Sequence, residues 1–91
     1  MTYRFRASEQ FWRSFYALSD SHKESTRKAR AIFKANPFDP RLRTHKIHGL
    51  SALYKRAIYA VVIAGDPRSL FYLDADTVFT VDIGSHDVYR T

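Results

Sequence analysis

Three apolar, β-rich segments separated by very short turns fill the second half of this chain, and this pattern constrains the fold most. The segments are residues 53–63, 68–73 and 77–83. The last of them alternates apolar and polar residues, which is typical of a half-buried strand. Because short turns connect neighbouring antiparallel strands, the pattern predicts a three-stranded antiparallel meander.

The N-terminal residues predict one strand followed by a helix. Residues 2–6 alternate as a short strand does. Ser8 can cap a helix over about 9–19, whose buried stripe is Phe11, Phe15 and Leu18 at helical spacing. We expect the two aromatic residues beside that stripe to belong to the core; they are Trp12 and Tyr16.

A second helix is predicted over 22–35. Ser21 and Glu24 have the spacing of a capping box at its start. The helix should end at Asn36, because a residue before proline avoids the α-helical region. Residues 36–52 predict a loop that carries several cations and histidines.

The whole chain, 1–91, therefore predicts one α+β domain with the element order β-α-α-β-β-β. Two N-terminal helices would pack on one face of a small, mostly antiparallel sheet and leave the other face partly open. The N-terminus lacks the apolar run of a signal peptide, and no stretch approaches the roughly 20 apolar residues that span a bilayer. Cysteine is absent, which fits a reducing compartment. We expect a cytoplasmic protein without a membrane partner.

Positive charge is concentrated in one part of the chain. The formal net charge is +6 at pH 7, but residues 22–56 alone carry +8. Such asymmetry indicates nucleic acid or an acidic protein as partner. The alternative is a solvated basic face.

Residues that can transfer protons follow the last predicted strand. His86, Asp87 and Tyr89 come directly after Gly84-Ser85. A histidine ordinarily titrates near pH 6.5, so it can give or take a proton near neutrality. With the basic segment upstream, these residues suggest acid–base chemistry on a polyanion.

Cleavage of RNA fits these residue types. The 2′-hydroxyl can attack the adjacent phosphate if a base takes its proton, cations stabilise the phosphate and an acid protonates the leaving 5′-oxygen. His45 and His86, together with arginines and lysines, supply these roles. The chain has no acidic cluster that suggests a two-metal site, so we expect neither metal nor cofactor.

Four segments in order resemble the RelE/ParE superfamily of bacterial toxins. They are NPFDPRL at 36–42, HKIHGL at 45–50, GDPRSLFY at 65–72 and IGSHDVY at 83–89. The last resembles the terminal histidine and aromatic residue of the RNA-cleaving branch. Each segment alone is a weak match, but the order and spacing together cover nearly the whole chain.

The resemblance implies roles for particular residues. His86 corresponds to the catalytic general acid, and Tyr89 to an aromatic residue that packs on or orients a base. Arg68 corresponds to the arginine that contacts the scissile phosphate. His45 is a candidate base or phosphate ligand, with Lys46 in the same loop.

Each of these roles has a structural alternative. His86 could be a surface histidine bonded to Asp87, and Tyr89 could simply pack on the sheet edge. Arg68 could form a salt bridge with Asp66 or Asp82. The chain also departs from many RNA-cleaving relatives, since it has no second arginine near the end of its last strand.

The remaining basic residues are predicted to contact RNA or the ribosome. Lys55 and Arg56 should lie on opposite sides of one strand, so at most one would face the substrate. The full predicted set comprises Arg27, Arg30, Lys34, Arg41, Arg43, Lys46, Lys55 and Arg56.

The resemblance thus implies a toxin of a toxin–antitoxin system that cleaves mRNA on the ribosome and leaves a 2′,3′-cyclic phosphate. Its implied partners are an acidic antitoxin, the ribosome and mRNA. One alternative is the ParE-like branch, which inhibits DNA gyrase without catalysis. Another is an inactive basic module that binds only RNA or an antitoxin.

Overall fold

Nine short elements make up the part of the chain that the structure describes. The structure is a computed structural model, and it describes residues 3–63 and 65–85. In chain order the elements are β1 (Arg4–Ala7), α1 (Glu9–Tyr16), α2 (Asp20–Ala35), a 3₁₀ helix (Pro40–Leu42), β2 (His45–Lys46), α3 (His48–Tyr54), β3 (Tyr59–Val62), β4 (Arg68–Asp74) and β5 (Thr77–Gly84).

The strands form one five-stranded sheet in the order β1-β5-β4-β3-β2. The predicted meander is confirmed, because β3, β4 and β5 are antiparallel neighbours. β1 pairs with β5 in parallel and is the one parallel neighbour among the described strands. Ala75 has a φ of 54° in the turn between β4 and β5. The α+β class predicted from the sequence is confirmed.

Helices α1 and α2 cover one face of the sheet, as predicted. On this face, which we call the α2 face, Ala29 and Phe33 of α2 pack with Val61, Phe71 and Val78. α1 lies on the same side and buries Phe11 and Phe15 against Ile83 of β5.

The prediction of a loop over 36–52 is wrong in its last part, because this segment includes β2 and the start of α3. Leu50 of α3 packs on Ile58, Ala60 and Leu70. Ala60 and Leu70 alternate with Val61 and Phe71 along their strands, so α3 covers the opposite face of the sheet. We call this face the α3 face.

The boundary between α3 and β3 also differs from the prediction of a strand beginning at Leu53. The Ser51 hydroxyl, which is buried, accepts a hydrogen bond from the Ile58 amide at 2.8 Å. Lys55 ends α3 with a φ of 56°, and β3 starts only at Tyr59. One buried side-chain hydrogen bond therefore closes a turn at this boundary.

Two helix ends differ from the sequence prediction. Ser19 caps α2, since its hydroxyl accepts from the His22 amide at 3.2 Å, so the predicted cap at Ser21 is wrong. α1 ends at Tyr16 instead of residue 19. Tyr16 itself is 67% exposed, so its predicted place in the core is also wrong.

A β-bulge changes the phase of β5. Leu70 of β4 pairs with Asp82, but Phe71 pairs with Thr80, so one extra residue, Val81, stands in β5. Val78 and Ile83 are an odd number of residues apart and would point to opposite faces of a regular strand. The bulge allows both to pack on the α2 face.

The bulge is also where α1 is attached to the sheet. Ser8, the N-cap of α1, accepts from the Phe11 amide at 3.0 Å and donates its hydroxyl proton to the Val81 carbonyl. Further along α1, the Ser14 hydroxyl donates to the Asp82 carboxylate at 2.6 Å. Two serines therefore hold α1 against the strand that runs towards Gly84.

We expect Ser8→Ala to destabilise the protein by about 1–3 kcal/mol, because it removes a helix cap and a partner of a strand carbonyl. Ser21→Ala is the matched control, since Ser21 is exposed and caps no helix. It should change stability by less than about 0.5 kcal/mol. Urea unfolding followed by circular dichroism measures both values, and equal losses would contradict the role given to Ser8.

Candidate functional site

Arg68 stands at one end of the sheet, where three strands meet. It begins β4 and pairs with Val62 of β3 on one side and Gly84 of β5 on the other. Its strand position matches that of Leu70 and Tyr72, so its side chain leaves the sheet on the α3 face. The sequence correctly predicted that Arg68 starts the strand after the Gly65-Asp66-Pro67 turn.

The guanidinium of Arg68 uses only part of its donor capacity. Nη1 donates to the carbonyls of Gly65, Asp66 and Pro67 at 3.3, 2.8 and 3.2 Å. Nε and Nη2 have no protein acceptor among the described residues. A guanidinium fixed by one nitrogen can offer its other N–H groups to a phosphate in a fixed orientation.

The salt bridge considered as an alternative for Arg68 does not form within the described residues. Arg68 reaches the backbone carbonyl of Asp66, not its carboxylate. The carboxylate of Asp82 accepts from the Ser14 hydroxyl and from the Ile83 amide. The positive charge of Arg68 is therefore not paired by either carboxylate.

His45 lies on the edge strand β2 and is exposed. Its Nδ1 is 2.8 Å from the carbonyl oxygen of Arg43. Since a carbonyl can only accept, Nδ1 carries the proton in this contact, and in the neutral ring Nε2 then has the free lone pair. This arrangement orients Nε2 as a proton acceptor.

The strand register places His45 and Arg68 on the same face of the sheet. His45 pairs with Ala60, and Ala60 pairs with Leu70, which follows Arg68 by two positions. Two strand spacings and two residues separate their Cα atoms by about 12 Å. The two side chains therefore leave the same face of the sheet near one end of strands β2 to β4.

The other predicted catalytic residues, His86 and Tyr89, lie outside the described residues together with Asp87. The described part of β5 brings the chain to Gly84, the partner of Arg68. His86 follows two residues later in the sequence. The roles of His86 and Tyr89 stay predictions.

The basic segment 22–56 includes cations that lie on the other side of the sheet from His45 and Arg68. Its first cations are on α2, where Arg27 lies 5.8 Å from the Phe15 ring centre and Arg30 lies 5.5 Å from the Trp12 ring centre. Lys34 lines a cavity of about 210 Å³ between the helices and the sheet. These cations belong to the α2 face, whereas His45 and Arg68 belong to the α3 face. The sheet separates the two groups.

Arg41 is neutralised by a neighbour. Its Nε and Nη2 donate to the two carboxylate oxygens of Asp39, each at 3.0 Å. These bonds hold the pKa of Asp39 below its usual value and raise that of Arg41. Arg43 is exposed at the end of the same 3₁₀ helix and has no carboxylate partner among the described residues.

The predicted placement of Lys55 and Arg56 on a strand is wrong. Both lie in the turn between α3 and β3, and both are exposed. Lys46 does lie on a strand, where it pairs with Tyr59 and is exposed.

A stack of side chains on the α3 face was not found by sequence reasoning. The guanidinium carbon of Arg56 lies 4.3 Å from the ring centre of Tyr72, and Tyr72 stacks on Phe79 at 5.2 Å. The pair of Tyr72 and Phe79 follows from a two-residue turn at 75–76, which pairs Asp74 with Thr77. The position of Arg56 follows from the end of helix α3, which the sequence did not predict.

In the part of the chain that the structure describes, no group of three or more His, Cys, Asp or Glu side chains comes together in a way that would hold a metal ion. No helix in these residues is both long enough and apolar enough to cross a membrane.

Neither protein-family models nor curated proteins match this sequence. Solved structures do match its fold. The toxin YafQ in the E. coli DinJ–YafQ toxin–antitoxin complex has a TM-score of 0.77 at 10% identity, and the match covers 100% of both chains. E. coli YafQ in another crystal structure has a TM-score of 0.75 at 11% identity over 99% of this chain and 100% of that one.

An archaeal structure is similar as well. The RelE–RelB complex from Pyrococcus horikoshii gives a TM-score of 0.71 at 18% identity, over 93% of this chain and 96% of that one. The chain therefore has the RelE and YafQ fold that the four sequence segments implied.

Arg41 and Arg43 allow a matched test of whether pairing with a carboxylate removes the contribution of an arginine to RNA binding. For single-stranded RNA, each lost phosphate contact reduces the slope of log affinity against log salt by about 0.7. We expect a change of this size for Arg43→Gln and almost none for Arg41→Gln, because Asp39 already pairs with Arg41. Fluorescence anisotropy over a salt series measures the slopes. A larger change for Arg41→Gln would contradict the assignment.

Proposed function

We propose that this chain is the toxin of a toxin–antitoxin system and that it cleaves mRNA on the ribosome. The proposal rests on the position and contacts of Arg68 in a chain that has the RelE and YafQ fold. Within the described residues, Nε and Nη2 of its guanidinium have no protein acceptor. Its side chain leaves the same face as His45, and its backbone pairs with Gly84. His86 follows Gly84 by two residues in the sequence.

An acidic antitoxin is proposed as the partner that restrains the toxin. The neighbour YafQ was solved in a toxin–antitoxin complex with DinJ, and RelE in a complex with RelB. In this chain, α2 offers a row of cations to such a partner. They are Lys23, Arg27, Lys28, Arg30 and Lys34.

The proposed reaction is an internal transfer at phosphorus. Nε2 of His45 takes the proton of the 2′-hydroxyl, whose oxygen forms a bond to the adjacent phosphorus. The bond from phosphorus to the 5′-oxygen breaks, and His86 supplies a proton to that oxygen. The products are a 2′,3′-cyclic phosphate and a free 5′-hydroxyl, with no net oxidation or reduction.

Arg68 would stabilise the charge that accumulates on the phosphate oxygens during this transfer. The contacts of Nη1 with three turn carbonyls keep the guanidinium in place before substrate arrives. A donor that is already oriented needs no reorganisation during the reaction. Tyr89 is proposed to hold a base beside the scissile bond, since an aromatic ring stacks on any base.

His86→Gln should lower single-turnover cleavage of ribosome-bound mRNA by roughly 10²-fold or more, which is typical for loss of a general acid. His48→Gln is the matched control, because His48 is an exposed histidine at the start of α3 and has no proposed role. It should leave the rate within about twofold.

Unchanged cleavage by His86→Gln would remove His86 from the mechanism. A wild-type protein that inhibits gyrase supercoiling and leaves ribosome-bound mRNA intact would favour the gyrase alternative. Binding to an antitoxin or RNA without either activity would favour the inactive module.

Arg68→Ala should mainly lower the cleavage rate at saturating ribosome, by the equivalent of about 3–4 kcal/mol of transition-state stabilisation. Arg68→Lys should recover only part of it, since an ammonium lacks the planar fork of donors. The folded state should lose no more than about 1–1.5 kcal/mol, the net value of a typical hydrogen bond. Melting temperature and single-turnover rate are measured on the same preparation. A large melting loss with a near-normal rate would show that Arg68 is only structural.

A further inference from the structure

Three side chains form a column on the α3 face, next to the proposed catalytic residues. Phe79 of β5 and Tyr72 of β4 are cross-strand partners whose rings are 5.2 Å apart and nearly parallel. The guanidinium of Arg56 stands 4.3 Å from the Tyr72 ring centre and forms the outer end of the column. Tyr72 is half-buried and Arg56 is exposed.

The column ends in a pocket of about 340 Å³. Its lining is mostly apolar, with one cation and two phenols. The lining residues are Leu50, Tyr54, Ile58, Leu70 and Val81, together with Arg56 and Tyr72. Apolar walls with a few placed polar groups are typical of a small-molecule or base site.

Arg56 has no carboxylate partner in the part of the chain that the structure describes. No acidic side chain within the described residues lies within 4.0 Å of it, in contrast to Arg27 and Arg41. The ring below it attracts the cation and restricts its movement. The outer side of the guanidinium therefore remains available to a ligand.

We propose that Arg56 and Tyr72 form a stacking site for an unpaired RNA base, separate from the residues assigned to the cleavage step. Unstacked bases in single-stranded RNA stack on arginine planes as well as on aromatic rings. A base laid on Arg56 extends the column from Phe79 and Tyr72 into the pocket. The phosphates on either side of that base are attracted by Arg56 and the adjacent Lys55.

The position of the column fits a strand that also reaches Arg68. Tyr72 and Arg68 lie four residues apart on β4 and on the same face. That step spans about 13 Å along a strand, which is about two nucleotide steps. A single strand lying along β4 would thus place one base on Arg56 while its phosphate two nucleotides away lies at Arg68.

The choice of RNA as the ligand rests on the proposed function, but the test needs neither cleavage nor a ribosome. Two fluorescent hexamers are compared by anisotropy, one a single-stranded RNA and the other a chain of abasic units with the same number of phosphates. The ratio of their Kd values isolates the contribution of the bases. Unfolded protein would raise the apparent Kd for both hexamers by the same factor, so it does not change this ratio.

Wild type should bind the intact hexamer more tightly than the abasic one, by about 5- to 150-fold per stacked base. Arg56→Lys keeps the charge but loses the plane, so the ratio should fall at least about fivefold. Lys55→Ala is the control, because it removes the neighbouring cation and leaves the column intact. It should weaken both hexamers equally and preserve the ratio.

A ratio near one in wild type, no binding of either hexamer, or an unchanged ratio in Arg56→Lys would each overturn the stacking site. A protein that shows the expected ratios but leaves ribosome-bound mRNA intact would keep the stacking site and contradict the proposed cleavage. If the protein cleaves mRNA but Arg56→Lys leaves the ratio of Kd values unchanged, only the stacking site is contradicted.

Discussion

The extra residue in β5 is the constraint on which the other parts of this small domain depend. Without Val81 as a bulge, Val78 and Ile83 could not both pack against the helices, since regular strands alternate their side chains. Its carbonyl accepts the Ser8 hydroxyl, which ties the start of α1 to the sheet. The same strand then places Gly84 beside Arg68. One irregularity thus joins helix packing to the geometry of the candidate site.

The sheet divides the molecule into two sides with different chemistry. On the α2 face, arginines lie over the aromatic rings of α1, and their charges face outward from the helices. On the α3 face, an imidazole, two arginines and a stack of rings follow strands β2, β4 and β5. The chain therefore presents separate groups of positive charge on the two faces of the sheet. In the proposed function, the antitoxin uses the first and RNA the second.

Much of the fold could be predicted from sequence because the signals were local. Short turns determine which strands are neighbours, and the turn at Pro67 puts Arg68 at the start of its strand. Ser8 followed by the aromatic stripe of α1 predicted a cap that the structure confirms. The four segments at 36–89 implied the RelE-like fold, and the structural neighbours confirm that implication.

Other features depend on individual side-chain hydrogen bonds that residue spacing does not reveal. Both Ser19 and Ser21 are residue types that cap helices. The hydrogen bond from the His22 amide to the Ser19 hydroxyl identifies Ser19 as the cap. The helix α3 ends where Ser51 bonds to Ile58, across a turn that composition does not reveal. The pairing of Arg41 with Asp39 was likewise not predicted from the sequence. For His86 and Tyr89, which lie outside the described residues, the sequence remains the basis for their proposed roles.

Arg43 and Lys55 share an unusual backbone conformation, with φ values of 50° and 56° at the ends of helical turns. Glycine adopts this conformation most easily, and other residues lose about 1–2 kcal/mol there. Two cations therefore stand where the backbone alone would favour glycine. Glycine at either position would relieve the backbone strain but remove a positive charge, so a gain in stability there would reduce the charge on which the proposed function depends.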